Sequence, residues 1–292
     1  HRDLHSFPTR RSSDLMMAFF AGFAFPLSII FLHFMFDKKL KEEEIRGLTD
    51  IPVVGSIPHN TEKSNKVVFE NPNSAIAESF RLLRSRMQFF TKEEKTPVIL
   101  VTSSMPEDGK TFAAINLASV YNLINKKTVL VGFDLRKPKI FHDFDLSNEK
   151  VVSTWLIGKD KIQDIIQTTS FENLSIISAG PIPPNPPELT VLGKTEELFN
   201  YLKDRYDYII IDSAPIGVVS DTFHLASMAH TVLLIVRPGK THKELFYNTL
   251  GEMRSSSTKG VGLLINDIQG GRGHYGYGDK YGYTTDKAKS QK

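Results

Sequence analysis

Short apolar runs rich in β-branched residues, alternating with helical stretches, predict an α/β fold in which a mostly parallel sheet carries helices on both faces. Two further features sharpen the prediction. A Gly109-Lys110-Thr111 triplet lies between one such run and a helix, and two other runs end on the carboxylates Asp134 and Asp212. Ligands bind such sheets at the carboxyl ends of the strands, so all three features fall where chemistry is expected.

Residues 1–15 (HRDLHSFPTRRSSDL) show no periodicity and are set aside as a leader, disordered or foreign to the rest. Residues 16–36 run for 21 positions without a formal charge. As a helix that stretch spans ~30 Å, the thickness of a bilayer core, so one transmembrane helix is expected. It lacks the polar stripe of a core helix and the cleavage site of a signal peptide. Lys38, Lys39, Lys41 and Arg46 follow it closely and put its C-terminal side in the cytoplasm, although Arg2, Arg10 and Arg11 on the other flank blunt the asymmetry. Residues 37–73 read as a charged, Pro-punctuated juxtamembrane connector, with an extended stretch at 51–58.

The main domain is expected over 74–269. Ile76, Phe80, Leu83 and Met87 recur at helical spacing in 74–90, with Asn73 or Ser74 as cap. Strands are predicted at 97–103, 128–133, 174–178, 208–212, 231–236 and 261–265. Helices are predicted at 110–125, 194–205, 221–229 and 243–255, with helical or irregular chain at 153–168. Five prolines between 180 and 187 mark a loop. Residues 270–292 are rich in Gly, Tyr and Lys and cannot bury enough apolar surface to order themselves. Within this tail Tyr275, Tyr277, Tyr281 and Tyr283 fall inside nine residues.

Composition excludes several classes. Thirty-six Lys+Arg against 33 Asp+Glu leave a net charge of +3, which argues against a protein held to nucleic acid by a basic surface. The absence of Cys removes disulfides, thiolate zinc sites and a Cys nucleophile. The nine His form no metalloprotease spacing, and no Gly-x-Ser-x-Gly elbow occurs.

The strand–loop–helix over 97–125 gives the triplet the setting of a P-loop. Backbone N–H groups at the helix start can wrap phosphates, Lys110 can reach the β- and γ-phosphates, and the Thr111 hydroxyl can hold Mg²⁺. One position departs from the usual pattern: the first Gly is replaced by Ser104. Asp212 at a strand tip fits a Walker-B carboxylate for the same cation. Asp134 fits either a third member of the pocket or an ordinary turn.

Together with the apolar span and the Tyr cluster, these segments resemble the bacterial tyrosine kinases of capsule and exopolysaccharide export. The family's P-loop, S-x-x-P-x-x-G-K-[ST], fits Ser103 or Ser104 through Thr111. Its second Walker motif, D-x-D-x-R, reads Gly132-Phe133-Asp134-Leu135-Arg136, and its E-x-x-R-x-x-R oligomerisation motif matches Glu78, Arg81 and Arg84. The loop 185–189 (NPPEL) is also similar.

The resemblance implies a P-loop NTPase fold that binds ATP and Mg²⁺. It implies Lys110, Asp134 and Asp212 as catalytic residues, with Thr111, Asp134 and Asp212 toward the metal. Ser104, Asp108, Gly109, Lys110, Thr111 and, from related folds, Asn266 are the expected nucleotide contacts. The activity implied is autophosphorylation of the four tail tyrosines between copies in a ring. The implied partners are further copies, polysaccharide export proteins, a tyrosine phosphatase and the inner membrane. Gly132 replaces the family's first Asp of the second motif and can neither bind metal nor act as a base. That leaves open a catalytically weak nucleotide-binding scaffold. A ParA/MinD-type ATPase is disfavoured, because its signature Lys is Met105 here.

Overall fold

The computed structural model describes residues 10–35, 38–47, 50–138, 140–183, 189, 193–256, 258 and 260–269. The tail tyrosines and residues 185–188 lie outside that set. The chain forms two compact units, residues 1–39 and 40–292.

In the first unit, helix α1 (Arg10–Met35) contains Pro26, and Phe19, Phe20, Phe23, Phe25 and Leu27 are each more than half exposed. The expected membrane span is therefore a helix. Among the described residues, however, no helix is long and apolar enough to cross a membrane.

The second unit contains an eight-stranded sheet. In chain order it comprises α2 (Glu42–Ile45), β1 (Val53–Pro58), α3 (Val67–Glu70), α4 (Ala75–Thr91), β2 (Val98–Ser103), α5 (Lys110–Asn122) and β3 (Thr128–Phe133). There follow α6 (Ile140–Asp143), α7 (Val152–Leu156), α8 (Ile162–Ile165), β4 (Gln167–Thr168), β5 (Leu174–Ile177), α9 (Gly193–Lys203) and β6 (Tyr208–Ser213). The last elements are α10 (Asp221–Met228), β7 (Thr231–Val236), α11 (Lys243–Ser255) and β8 (Val261–Ile268). The strand order is β1-β8-β7-β2-β6-β3-β5-β4, and every pairing is parallel except β4 with β5.

Alternation within the buried strands feeds two separate cores, one on each face of the sheet. Val98, Leu100, Val129, Val131, Ile209, Ile211, Val232 and Leu234 join one core, with Leu198 and Phe199 of α9, Leu225 of α10 and Phe246 of α11. Ile99, Val101, Leu130, Ile210, Leu233 and Ile235 join the other, against Phe80 and Leu83 of α4 and Ile115 and Leu117 of α5. This two-sided burial is why the strands are apolar throughout rather than alternating. Helix α4 begins where expected, with the Ser74 hydroxyl accepting from the Ala77 N–H at 3.1 Å.

The expected connector is part of the domain from Leu40 onward. Leu40, Ile45, Val54, Ile57, Val67 and Val68 are buried, and β1 is an edge strand paired in parallel with β8. The extended stretch expected at 51–58 is this strand, set among the prolines and charges of 37–73. A six-residue edge strand tolerates them because one side of its backbone needs no partner.

At the N-terminal ends of β2 and β7, His230 braces the sheet. Its Nδ1 accepts the Val98 N–H at 2.9 Å, and Nε2 lies 3.3 Å from Glu94. Burial holds this imidazole below its ordinary value of 6.5. The unfolded chain therefore takes up the proton first, so this contribution is present above about pH 6.5 and fades as pH falls toward the lower folded value. His230→Gln should flatten the decline of melting temperature between about pH 8 and pH 5. Identical slopes for the two proteins would show that His230 does not carry it.

Candidate active site

Three parallel strands bring the predicted chemistry together. β6 lies between β2 and β3, and Asp212 is in register with Val101 on one side and Gly132 on the other. The loops leaving the carboxyl ends of β2 and β3 therefore open beside Asp212, as the doubly wound rule requires.

The loop after β2 enters α5 through Gly109 at φ 99°, a left-handed conformation. A Cβ here would also lie 2.0 Å from Asn266 Nδ2, so only Gly fits on both counts. Helix α5 then begins with Lys110, 8% exposed, and Thr111, whose hydroxyl donates to Asp212 Oδ2 at 2.7 Å. That bond joins the start of α5 to the end of β6.

A cleft of about 480 Å³ opens over these residues, lined by Gly109, Lys110, Thr111 and Phe112 from the P-loop side and by Asp134, Arg136 and Lys137 from the loop after β3. Ala214, Pro215, Val218 and Val219 line it after β6, and Asn65 lines it from the stretch before α3. This volume suits a nucleotide-sized ligand. Free N–H groups at the first turn of α5 and the adjacent Lys110 favour an anion there. A hydroxyl and a carboxylate side by side, Thr111 and Asp212, are hard oxygen donors of the kind Mg²⁺ takes.

Comparisons with known proteins agree with this architecture. A family model described as an AAA domain matches residues 96–241. The putative tyrosine-protein kinase CapB of Staphylococcus aureus is 34% identical over 201 residues, covering 69% of this chain and 88% of its own length. Tyrosine-protein kinase YwqD of Bacillus subtilis is 30% identical over 221 residues, covering 74% of this chain and 93% of its own. The chain belongs to the bacterial tyrosine-protein kinases. The solved kinase domain of Escherichia coli tyrosine kinase ETK superposes with a TM-score of 0.71 at 26% identity, covering 77% of this kinase and 92% of that domain.

The kinase places its expected site residues in three groups. Lys110, Thr111, Gly109 and Asp134 line the cleft, and Asp212 reaches it through Thr111. Asp134 is also a turn residue, since its Oδ1 accepts the N–H groups of Arg136 at 3.2 Å and Lys137 at 2.9 Å. Asp134 thus makes the turn bonds and lines the cleft as well.

Ser104, Asp108 and Asn266 are not among the cleft-lining residues. Ser104 is fully buried where the loop begins. Its backbone is crowded by Gly217, where a Cβ would lie 2.5 Å from the Ser104 carbonyl oxygen. Asp108 is turned inward, where burial pushes its carboxyl up to about 7 while the Thr241 hydroxyl and the Lys110 charge oppose the shift. Asn266 donates to the Asp108 carbonyl at 2.9 Å from behind the loop, so it supports the P-loop from the side away from the cleft.

The expected subunit-contact residues are partly committed within the chain. Arg84 donates to the Val120 carbonyl at 2.7 Å, satisfying an acceptor in the last turn of α5. Arg81 pairs with Glu78 at 3.0 Å and donates to the Pro72 carbonyl at 2.6 Å. Glu78 remains exposed, as do Leu82 and Phe89 on the same stripe of α4.

Sequence reasoning missed Asn65, Arg136 and Lys137 as cleft residues. Arg136 and Lys137 follow the end of β3 and were open to the strand-end rule. Asn65 carried no signal, because its place depends on Asn116 of α5 donating to the Asn65 carbonyl at 2.8 Å and on Asp143 accepting the Asn65 amide at 2.8 Å.

Proposed function

We propose that this kinase transfers the γ-phosphoryl group of ATP to tyrosine hydroxyls of its own C-terminal cluster, Tyr275, Tyr277, Tyr281 and Tyr283, on a neighbouring copy. The observation that carries the reading is the Thr111–Asp212 hydrogen bond at the cleft floor, beside Lys110. Lys110 neutralises charge on the β- and γ-phosphates, and the α5 N-terminus cradles them. Thr111 and Asp212 would hold Mg²⁺, which would supply neutralisation of the phosphate charge. Asp134, on the cleft wall, is the carboxylate open to the acceptor. The tyrosine oxygen forms the new bond to phosphorus, the bond to the ADP oxygen breaks, and the hydroxyl proton passes to Asp134.

The sequence supports the wider setting. The uncharged residues 16–36, with exposed Phe side chains on α1 and Lys38, Lys39 and Lys41 beyond it, fit an inner-membrane anchor with the kinase on the cytoplasmic side. The outer stripe of α4, with Glu78, Leu82 and Phe89, fits a contact between copies in a ring. The resemblance extends the reading to regulation of capsule or exopolysaccharide polymerisation and export, with a phosphatase to reset the tail. Four phosphates at about −1.5 to −2 charge each would drive such copies apart.

Gly132 favours a second reading. It neighbours Asp212 in the sheet, and a Cβ there would lie 3.1 Å from the Ala179 N and 3.3 Å from Ile140 Cδ1. A side chain there would need the backbone at Ala179 to give by a few tenths of an ångström. A nucleotide-binding scaffold would tolerate this.

One mixing experiment separates the two readings. A variant with all four tail tyrosines changed to Phe is incubated with Lys110→Ala protein, whose tail is intact, and Mg-ATP. Mass spectrometry should find phosphotyrosine on the Lys110→Ala tail. Nucleotide binding without phosphotyrosine on any tail, wild type included, would leave the scaffold standing.

A further inference from the structure

We infer that Thr241, in the turn after β7, is a positioning residue for the phosphate loop and ties that loop to the chain's lead-in segment at Leu40. The inference rests on the reading of the cleft as a nucleotide site and adds a residue that touches no ligand.

The Thr241 hydroxyl donates to Asp108 Oδ1 at 3.0 Å and accepts the Arg237 N–H at 2.8 Å. Thr241 is fully buried, and so is Asp108. Asp108 immediately precedes Gly109 and Lys110, so the hydroxyl fixes the loop one residue before its functional part. The other Asp108 oxygen, Oδ2, is buried and has no hydrogen-bond partner, so the carboxylate is held by the Thr241 hydroxyl from the turn after β7 and by the Met105 backbone N–H from within the loop.

The same turn grips the neighbouring residue. Arg237 Nη1 donates to the Glu107 carbonyl at 3.1 Å, and Lys240 pairs with the Glu107 carboxylate. Glu107 sits at φ 68°, a conformation that costs a non-Gly residue free energy and persists only when its surroundings enforce it. Arg237 is itself fixed, with Nε donating to Asp267 Oδ2 at 2.7 Å. A strained loop residue and a buried acid are therefore both held by one five-residue turn.

That turn also receives the lead-in segment. The Leu40 N–H donates to the Thr241 carbonyl at 2.8 Å, and the Gly239 N–H donates to the Leu40 carbonyl at 2.8 Å. Leu40 is fully buried, and Glu44 pairs with Lys243 at 2.8 Å just beyond. One residue thus bonds the phosphate loop through its side chain and the lead-in segment through its backbone. Ligand binding that stiffens the loop must then stiffen Leu40, and the coupling runs equally in both directions.

The test uses the full chain with ADP and Mg²⁺ as probe. Thr241→Val keeps the shape and removes the hydroxyl, and it should weaken ADP binding about tenfold, in line with stranding a buried polar group. Thr241→Ser should restore the affinity. In the wild type, ADP should slow amide exchange at Leu40 and Gly239, and Thr241→Val should abolish that slowing. Wild-type ADP affinity in the Val variant overturns the inference. So does unchanged exchange at Leu40 in ADP-saturated wild type, a measurement that stands even if the Val variant fails to fold. Wild-type protein that takes up no ADP overturns the nucleotide reading as well. Binding lost in Lys110→Ala but kept in Thr241→Val overturns only the role of Thr241.

Discussion

Lys110→Ala is expected to reduce tyrosine phosphorylation at least ~100-fold, the scale on which removal of a single charge-stabilising donor acts on a transition state. Lys110 is only 8% exposed at the start of α5, and among the described residues the other cations lining its cleft are Arg136 and Lys137, from the loop after β3. Neither replaces a group sited at the helix N-terminus. The fold should survive, because the substitution relieves a mostly buried ammonium and keeps a good helix former at the first helical position. Phosphotyrosine formation measured beside a thermal melt checks both halves. Activity within tenfold of wild type would remove Lys110 from the phosphate site.

The second large effect is expected at a residue with no functional group. In Gly217→Ala the new Cβ would lie 2.3 Å from Thr249 Oγ1, 2.5 Å from the Ser104 carbonyl oxygen and 3.1 Å from Ser104 Cα. Two of these three contacts are backbone and cannot swing aside. Overpacking of this kind costs ~1–3 kcal/mol, and here the strain falls on the first turn of the phosphate loop. Nucleotide affinity should therefore drop along with melting temperature. Gly251→Ala is the matched control. Gly251 lies inside α11 with nothing within 4 Å of a would-be Cβ, so that change should stabilise by ~0.5–1 kcal/mol through helix propensity alone. Calorimetry on the pair decides the matter, and equal melting temperatures would mean that the β6 loop yields freely.

Much of this architecture was legible because local and global signals agree. Strands at 128–133 and 231–236 and the helix at 243–255 coincide with β3, β7 and α11 residue for residue. Each is a continuous apolar run or a strongly amphipathic stretch with clear breakers at its ends. The P-loop was legible for a similar reason, since Gly109-Lys110-Thr111 follows a buried strand. What escaped was decided by contacts distant in sequence. The extended stretch at 51–58 is legible, but its place in the sheet depends on β8, some two hundred residues later, as its partner. Arg84 reads as a surface charge until α5 presents the Val120 carbonyl. The resemblance implies Asp108 and Asn266 as nucleotide contacts, while their side chains bond Thr241 and the Asp108 carbonyl, and no one-dimensional pattern records which way a loop residue faces. Thr241 and Arg237 lie one turn beyond β7 and were within reach of the rule that strand ends carry function.

The parallel pairing of β1 with β8 bears on how this enzyme can be cut. A fragment starting near residue 96, where the family match begins, would retain every phosphate-binding loop. It would lack β1 and α4, and the N–H and C=O groups of β8 that face Val53–Pro58 would have no partner. A bare flank of that length, with Leu263, Leu264 and Ile265 along it, invites pairing with the same flank of another molecule. Soluble catalytic fragments of this protein should therefore begin no later than Leu40, and shorter ones should precipitate in proportion to how much of that flank they uncover.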